Sequence, residues 1–183
     1  MIRGGIYDQL GGGFARYATD RDWLVPHFEK MLYDNALIVS ALCDAYSITG
    51  NSRYKKAIVD TINFVETELK DETGGYYCAL DADSEGVEGR YYTWTWKEWT
   101  TLLGGEHEVA AAFYGATATG NWEGVNILHE ASSIEEIARA TGKSLTETED
   151  SLNRAKQLLL PRRGTRARTA TDDKCLFLRN ALM

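Results

Sequence analysis

Cysteine and proline are both scarce in this chain of 183 residues, which contains three cysteines and two prolines. Cys43, Cys78 and Cys175 lie far apart and form no CxxC pair, so the sequence predicts neither a disulfide framework nor a zinc site. This cysteine usage fits a reducing compartment, and the cytoplasm is the expected location. No apolar run approaches the roughly 20 residues that a membrane-spanning helix needs, so no membrane partner is expected.

The chain also lacks an excess of positive charge, because 27 acidic residues outnumber 20 basic residues and give a formal net charge of -7. A nucleic-acid surface needs clustered lysine and arginine, so no nucleic-acid partner is expected. One short basic run contains Arg162, Arg163, Arg166 and Arg168, and it predicts a solvated loop rather than a phosphate site. With 44% hydrophobic and 26% charged residues, the chain is expected to form a soluble globular domain.

Apolar residues recur at spacings of three and four in two neighbouring segments, residues 28–48 and 52–69. This spacing predicts two amphipathic helices. Gly50 favours the end of the first helix, and the short connection predicts an antiparallel hairpin. Similar patterns predict helices over residues 96–103, 106–114, 133–141 and 145–160, with capping boxes at Thr95 and Ser133.

Two aromatic stretches, residues 76–80 and 90–94, flank the acidic sequence DADSEGVEG. Their composition favours extended structure, so we predict that they pair as a β-hairpin or as extended loops. Residues 115–130 form a long predicted loop around Gly-Asn-Trp-Glu-Gly, and such loops are often functional. Helix pairs with long loops at one end are typical of a helical toroid or solenoid that binds ligands at that end.

The densest group of chemically active side chains lies in GGGFARYATDRDWLVPHFEKMLYDN, residues 11–35. We expect this segment to form one wall of a polar ligand pocket. His27 follows Pro26, whose fixed φ suits the first position of a helix. An imidazole at a helix start can be tuned for proton transfer near neutral pH, although a structural role for His27 remains the alternative. Three successive glycines without a following Lys-Ser or Lys-Thr do not predict nucleotide binding.

Helical spacing makes two further predictions for this segment. Glu29 and Tyr33 are expected to share one face of the first helix, and Lys30 and Asp34 are expected to form an ion pair on the next face.

The acidic turn carries carboxylates at Asp81, Asp83 and Glu85, followed by Gly86. They match the opening of a calcium loop, but Tyr92 stands where the closing glutamate is required. Three alternatives therefore remain open. They are a looser metal site, a solvated turn, and a set of carboxylates, with Glu88 as the fourth, for acid/base work or hydroxyl recognition.

Aromatic residues beside these carboxylates favour the hydroxyl-recognition alternative. Tyr91 and Trp94 are candidates for stacking on a sugar ring, and Trp122 with Glu123 repeats this chemistry in a third loop. His107 and His129 have no comparable neighbours and are expected to be structural or surface residues.

Four motifs in this order resemble one known family. They are GGIYDQLGGGFARYATDRDWLVPHFEKMLYDNA, GGYYCALDADSEGVEGRYYTW, GNWEGVNIL and the terminal DDK…N.LM. Together they resemble the YyaL-like family, which includes thioredoxin-domain-containing spermatogenesis-associated proteins. The resemblance implies a thioredoxin-like domain before this point, which these residues do not include, so no redox function is carried over.

The same resemblance implies an (α/α) six-hairpin toroid that begins about here and continues past Met183, similar to N-acylglucosamine epimerases and six-hairpin glycosidases. Two positions depart from the family pattern. Many members have histidine where this chain has Ala15, so a pair of acid/base histidines is not assumed. The last motif usually has tryptophan before its asparagine, whereas this chain has Leu178-Arg179-Asn180.

We therefore expect an all-α fold, a single domain over residues 1–183 that forms the N-terminal part of the toroid, with long loops at one end and a short β-hairpin. The expected function is carbohydrate-active, as a sugar epimerase or isomerase or a glycosidase-like enzyme. No metal ion and no cofactor are expected. The candidate catalytic residues are His27, Asp81, Asp83 and Glu85. The candidate substrate-binding residues are Arg16, Tyr17, Trp23, Tyr33, Tyr91, Trp94, Trp122 and Glu123.

The competing hypothesis is a non-catalytic binding or scaffold module that partners a thioredoxin-like domain. Under either hypothesis, a partial toroid leaves apolar helix faces uncovered. The chain is therefore expected to self-associate. Under the carbohydrate-active hypothesis, its other expected partner is a small sugar or sugar-like ligand.

Overall fold

The computed structural model describes residues 1–183, and about half of them are helical. The α-helices are α1 (Leu32–Thr49), α2 (Ser52–Phe64), α3 (Trp96–Leu103), α4 (His107–Tyr114), α5 (Ile134–Thr141), α6 (Leu145–Gly164) and α7 (Phe177–Asn180). A π-helical turn, Val65–Leu69, extends α2, and a 3-10 turn, Gly104–Glu106, precedes α4. None of the helices is both long enough and apolar enough to cross a bilayer.

Seven two-residue strands accompany the helices, so the chain is predominantly helical rather than all-α. The strands are β1 (Tyr17–Ala18), β2 (Pro26–His27), β3 (Lys30–Met31), β4 (Ala79–Leu80), β5 (Asp83–Ser84), β6 (Val87–Glu88) and β7 (Thr171–Asp172). β1 pairs with β2, β5 pairs with β6, and β4 lies between β3 and β7 in an antiparallel sheet.

The predicted hairpin of α1 and α2 is confirmed. Gly50 ends α1 with a left-handed φ of 65°, and its N–H donates to the Tyr46 carbonyl at 2.8 Å. Asn51 caps α2 by accepting a hydrogen bond from the Arg53 N–H. This turn therefore satisfies backbone groups that the two helix ends would otherwise leave free.

The predicted start of the first helix is wrong by four residues, because α1 begins at Leu32 rather than Phe28. Pro26 and His27 form β2 instead, with His27 directly opposite Tyr17. Lys30 lies in β3 opposite Leu80, so it is not one helical turn from Asp34 and the predicted ion pair does not form. Backbone pairing with distant strands outweighs the local helical spacing here.

The predicted pairing of residues 76–80 with 90–94 is also wrong. Ala79 pairs with Met31 on one side and with Asp172 on the other, while the acidic turn folds on itself as β5 and β6. Glu85 and Gly86, at the tip of this hairpin, both have positive φ, at 53° and 73°. Two central residues with positive φ match the twist of paired strands, so the hairpin closes within the acidic sequence.

The main core lies where α3, α4 and α6 meet. Trp94, Trp99, Tyr114 and Leu159 pack together in its largest cluster of buried side chains. A second cluster packs Leu32 of α1 against Phe64, Val65, Leu69 and Leu80. The first cluster packs α3, α4 and α6 together, and the second packs the start of α1 against the end of α2 and against β4.

The C-terminal end of α6 corrects the interpretation of the basic run. α6 continues to Gly164, and Arg163 is buried rather than solvated in a loop. Arg166 donates through Nη1 to the carbonyls of Tyr91 and Thr93, at 2.8 and 2.7 Å. The arginines therefore attach the end of α6 to the segment that precedes α3.

The two predicted capping boxes have different outcomes. Ser133 and Glu136 form the complete reciprocal pair. At α3 the Thr95 side chain accepts from the Glu98 N–H, but the Glu98 carboxylate binds Arg162 and Arg166 instead of returning to the cap.

Candidate functional site

A polar cluster forms around His27, where β1, β2 and β6 meet. The His27 Nδ1 lies 2.7 Å from Glu88 Oε1, and the His27 Nε2 lies 3.8 Å from Glu29 Oε2. Arg16 Nη1 donates to the same Glu29 oxygen at 3.0 Å. The Tyr17 ring stacks on the imidazole with centroids 5.0 Å apart. These five residues are the His27 cluster.

Backbone pairing explains why residues so far apart in sequence meet here. The β1–β2 register places Tyr17 opposite His27, and the Arg16 N–H donates to the Glu29 carbonyl at 2.8 Å. The β5–β6 hairpin brings Glu88 to the imidazole across 61 positions. The predicted wall over residues 11–35 and the acidic turn therefore lie side by side.

The first turn of α1 and the short helix α7 add a second group of polar residues. The Arg179 guanidinium lies 5.2 Å from the centroid of the Tyr33 ring. Asp34 Oδ2 and Arg179 Nη1 are both buried atoms that no protein group hydrogen-bonds. Burial raises the pKa of Asp34, and the nearby Arg16 and Arg179 oppose that rise.

Arg16 connects the two groups. Its pKa is raised by the hydrogen bond to Glu29 and by the neighbouring Tyr33. Four of the predicted site residues, namely Arg16, Tyr17, His27 and Tyr33, therefore lie in one continuous polar region.

The remaining predicted carboxylates lie along the acidic hairpin and point into solvent. Asp81, Asp83 and Glu85 are all exposed. Asp83 stands opposite Glu88 in the β5–β6 register, while Glu85 forms an ion pair with Arg90 at 3.3 Å. No group of three or more His, Cys, Asp or Glu side chains is placed to hold a metal ion.

The predicted aromatic residues divide between core and surface. Trp94 is 0% exposed and packs on Trp99 and Arg166, so its ring has no face free for a ligand and its predicted binding role is wrong. Trp122 packs 5.6 Å from Phe28, the residue after His27, and is only partly buried. Tyr91 meets Tyr92 edge-on.

Two further predicted residues lie in exposed turns. Trp23 and Glu123 are both exposed and have positive φ values of 64° and 46°.

Sequence reasoning missed a group of three buried charges, which we call the Asp8 triad. The Asp8 carboxylate binds Lys30 Nζ at 2.8 Å and Arg163 Nη1 at 2.8 Å. The three side chains are only 7%, 4% and 7% exposed. Burial alone would raise the pKa of Asp8, but Arg163 and Lys30 outweigh it and lower that pKa. No local pattern could reveal this triad, because Arg163 lies 155 positions from Asp8.

Arg179 was also missed as a member of the site, although the terminal motif contains it. Glu88 was among the candidate carboxylates of the acidic turn, but its contact with His27 was not predicted.

No family model matches the chain, but several proteins are related to it in sequence. Spermatogenesis-associated protein 20 from Homo sapiens is 35% identical over 209 aligned residues, which cover 100% of this chain and 27% of the relative. The protein of the same name from Rattus norvegicus is also 35% identical, and 26% of its length is covered. An uncharacterised Caenorhabditis elegans protein is 30% identical over 95% of this chain and 27% of its own length.

These matches confirm the predicted relationship to spermatogenesis-associated proteins, which are homologues of this chain. The chain spans about a quarter of the length of these relatives.

Two solved structures are weakly similar to the fold. A cellobiose 2-epimerase from Spirochaeta thermophila is 19% identical with a TM-score of 0.38, over 92% of this chain and 35% of that chain. A D-mannose isomerase is 18% identical with a TM-score of 0.36, over 92% of this chain and 36% of that chain.

Proposed function

We propose that this chain forms part of a sugar-acting protein of (α/α)-toroid architecture, with the ligand bound at the His27 cluster. The proposal is carried by the contact between His27 and Glu88, which gives one imidazole a fixed orientation beside further polar groups. The toroid itself is supported by the motifs of the sequence and by the α1–α2 hairpin. Epimerisation or isomerisation is the reaction that this geometry favours, with hydrolysis as the alternative.

The proton chemistry follows from the two ring nitrogens of His27. When Glu88 accepts a hydrogen bond from Nδ1, the neutral imidazole keeps its lone pair on Nε2. That nitrogen can act as a general base towards a C–H proton next to a sugar carbonyl. The protonated Nε2 can then return that proton to the sugar, and Glu29, 3.8 Å from Nε2, is the neighbouring carboxylate that can accept a hydrogen bond from a ligand hydroxyl.

Recognition of a sugar is supported by the unpartnered atoms of Asp34 and Arg179. A hydroxyl group both donates and accepts a hydrogen bond, so adjacent hydroxyls can satisfy the carboxylate of Asp34 and the guanidinium of Arg179 together. Both residues are half-buried, and the proposal requires their side chains to turn so that these atoms face the ligand. The rings of Tyr17 and Tyr33 offer apolar faces for the C–H side of the sugar.

The exposed acidic hairpin supplies the outer part of the proposed site. We propose that Asp81, Asp83 and Glu85 contact ligand hydroxyls there rather than transfer protons, since they lie in solvent. Trp23, Tyr91, Trp122 and Glu123 are proposed as further lining residues.

Binding of mono- and disaccharides to the intact protein, measured by calorimetry, tests this function. A sugar that binds should then be used to measure turnover in the His27→Ala variant, which should lose activity while it keeps its melting temperature. His107→Ala is the matched control, since the His107 imidazole bonds only within its own turn, to the Gly104 carbonyl. Absence of binding by every sugar tested would count heavily against the proposal.

A scaffold role is the second candidate, and exposed apolar residues favour it. Phe177 and Leu178 at the end of the chain are 89% and 76% exposed, as expected for residues that contact another protein surface. If the chain is a scaffold that partners a thioredoxin-like domain, the His27→Ala variant should still bind its protein partner with largely unchanged affinity.

A further inference from the structure

We propose that the Asp8 triad and the small cavity beside it form a binding site for a monovalent anion, such as a halide ion or a small carboxylate. This site is separate from the His27 cluster and does not depend on the proposed sugar function. Asp8 contributes one negative charge, whereas Lys30 and Arg163 contribute two positive charges, and all three side chains are at most 7% exposed. Buried charges are normally paired. With all three groups ionised, one positive charge lacks a counter-ion, and burial together with the neighbouring Arg163 lowers the pKa of Lys30.

The neighbouring carboxylates do not supply that counter-ion. Glu68 lies within electrostatic reach of Lys30, but it already binds Arg168. Asp60 lies within electrostatic reach of the nearby Lys156, but it already binds Lys56. Lys156 is also close enough to interact with Asp8 and Arg163, and it adds another positive charge. The wider surroundings therefore increase the excess of positive charge.

The hydrogen bonds of the triad leave one buried nitrogen without an acceptor. The Asp8 carboxylate accepts from Lys30, Arg163 and the N–H groups of Leu10 and Gly11. Lys30 Nζ also donates to the Gly12 carbonyl at 2.9 Å. Arg163 Nε is buried, and no protein group accepts its hydrogen. A buried donor without an acceptor is costly, and an anion is the acceptor that also balances the charge.

Space for such an ion exists beside these groups. A cavity of about 30 Å³ is lined by Asp8, Lys30, Arg163, Tyr92 and mainly apolar neighbours. By this kind of measure a single water needs roughly 10–15 Å³, so the cavity admits a halide or formate but not a sugar. Asp8 is the sole carboxylate in the lining. Partial burial and the nearby Asp8 raise the pKa of Tyr92, so its phenol stays protonated and can donate to an anion.

Anomalous diffraction from crystals of the intact protein grown in sodium bromide tests the site directly. We expect a bromide peak in hydrogen-bond contact with Arg163 Nε. In solution, replacing gluconate, which is too large for the cavity, with chloride at constant ionic strength should raise Tm saturably, by about 4 °C at high occupancy. A cavity without bromide, or equal Tm values in the two salts, would overturn the proposal.

The Lys30→Met variant tests the charge count. It leaves Asp8 and Arg163 as a neutral pair, so both the bromide peak and the chloride effect should disappear. Lys55→Met is the matched control, since Lys55 is an exposed lysine, and it should keep both. Persistence of the chloride effect in Lys30→Met would contradict the proposal. If that variant does not fold, the bromide experiment on the unaltered protein decides alone.

Discussion

At the scale of single residues, Asp34 has a carboxylate oxygen whose environment lowers the stability of the folded protein. Its Oδ2 is buried without a hydrogen-bond partner, although two arginines lie close enough to influence its pKa. An ionised carboxylate in this position costs free energy of folding that a bound hydroxyl group would recover.

Replacing Asp34 with asparagine should therefore stabilise the ligand-free protein. Burial raises the pKa of Asp34 in the folded state. Above that pKa the group is ionised, and the loss of folding stability that its ionisation causes is therefore fully present at neutral pH. The Tm gain of Asp34→Asn should be largest near pH 7 and should shrink as the pH falls through the raised pKa. Thermal melts across this pH range measure the effect. Asp44→Asn, at an exposed position of the same helix, is the control, and a lower Tm for Asp34→Asn at neutral pH would contradict the argument.

The residue types and the local density of polar side chains predicted part of the polar region from the sequence. Arg16, Tyr17, His27 and Tyr33 lie within one short segment, and they do meet in the structure. Glu88 could not be assigned to His27, since their contact spans 61 positions and depends on where a hairpin closes. Trp94 was misassigned because sequence alone does not distinguish a core indole from one that faces a ligand.

At the scale of elements, Arg166 fixes the end of α6 against the start of α3. Its guanidinium donates to backbone carbonyls before α3, binds Glu98 at 2.8 Å and lies 4.0 Å from the Trp94 ring centroid. The planar fork of arginine makes several such bonds at once, which an ammonium group cannot reproduce.

Arg166→Lys should consequently lower the free energy of unfolding by about 2–4 kcal/mol, because several partly buried acceptors lose their donor. Urea denaturation monitored by tryptophan fluorescence measures the loss. Arg168→Lys is the comparison, since Arg168 is exposed and pairs with Glu68 alone, and it should change stability by less than about 1 kcal/mol. Equal losses for the two variants would show that Arg166 does not have this anchoring role.

Helical periodicity predicted α2 through α6 well, because their buried faces repeat within each segment. It failed where partners are distant in sequence. Lys30, Leu80 and Thr171 come together in one three-stranded sheet, and this pairing determines where α1 starts and which residues the aromatic stretch at 76–80 contacts.

At the scale of the whole molecule, several large apolar side chains remain uncovered. Ile48 of α1 is 85% exposed, and Phe177 and Leu178 are exposed to a similar extent. The prediction of a mainly helical protein is confirmed, whereas the complete ring remains a proposal, because its closure depends on interactions beyond local sequence patterns.

The 183-residue chain on its own should self-associate through these apolar side chains. Sedimentation velocity should show species larger than a monomer that increase with concentration. The double variant Phe177→Ser/Leu178→Ser should form less of these larger species. A monodisperse monomer that melts cooperatively would contradict this expectation.

The contact between Asp8 and Arg163 also has a consequence for how the chain is made. The two residues are 155 positions apart, and ribosomes add about 5–20 residues per second. During synthesis Asp8 would therefore lack its arginine partner for about eight to thirty seconds. During that interval the N-terminal glycine-rich segment and the first helices lack the cation that holds them to α6. This part of the chain is consequently the one that we expect chaperones to bind during synthesis.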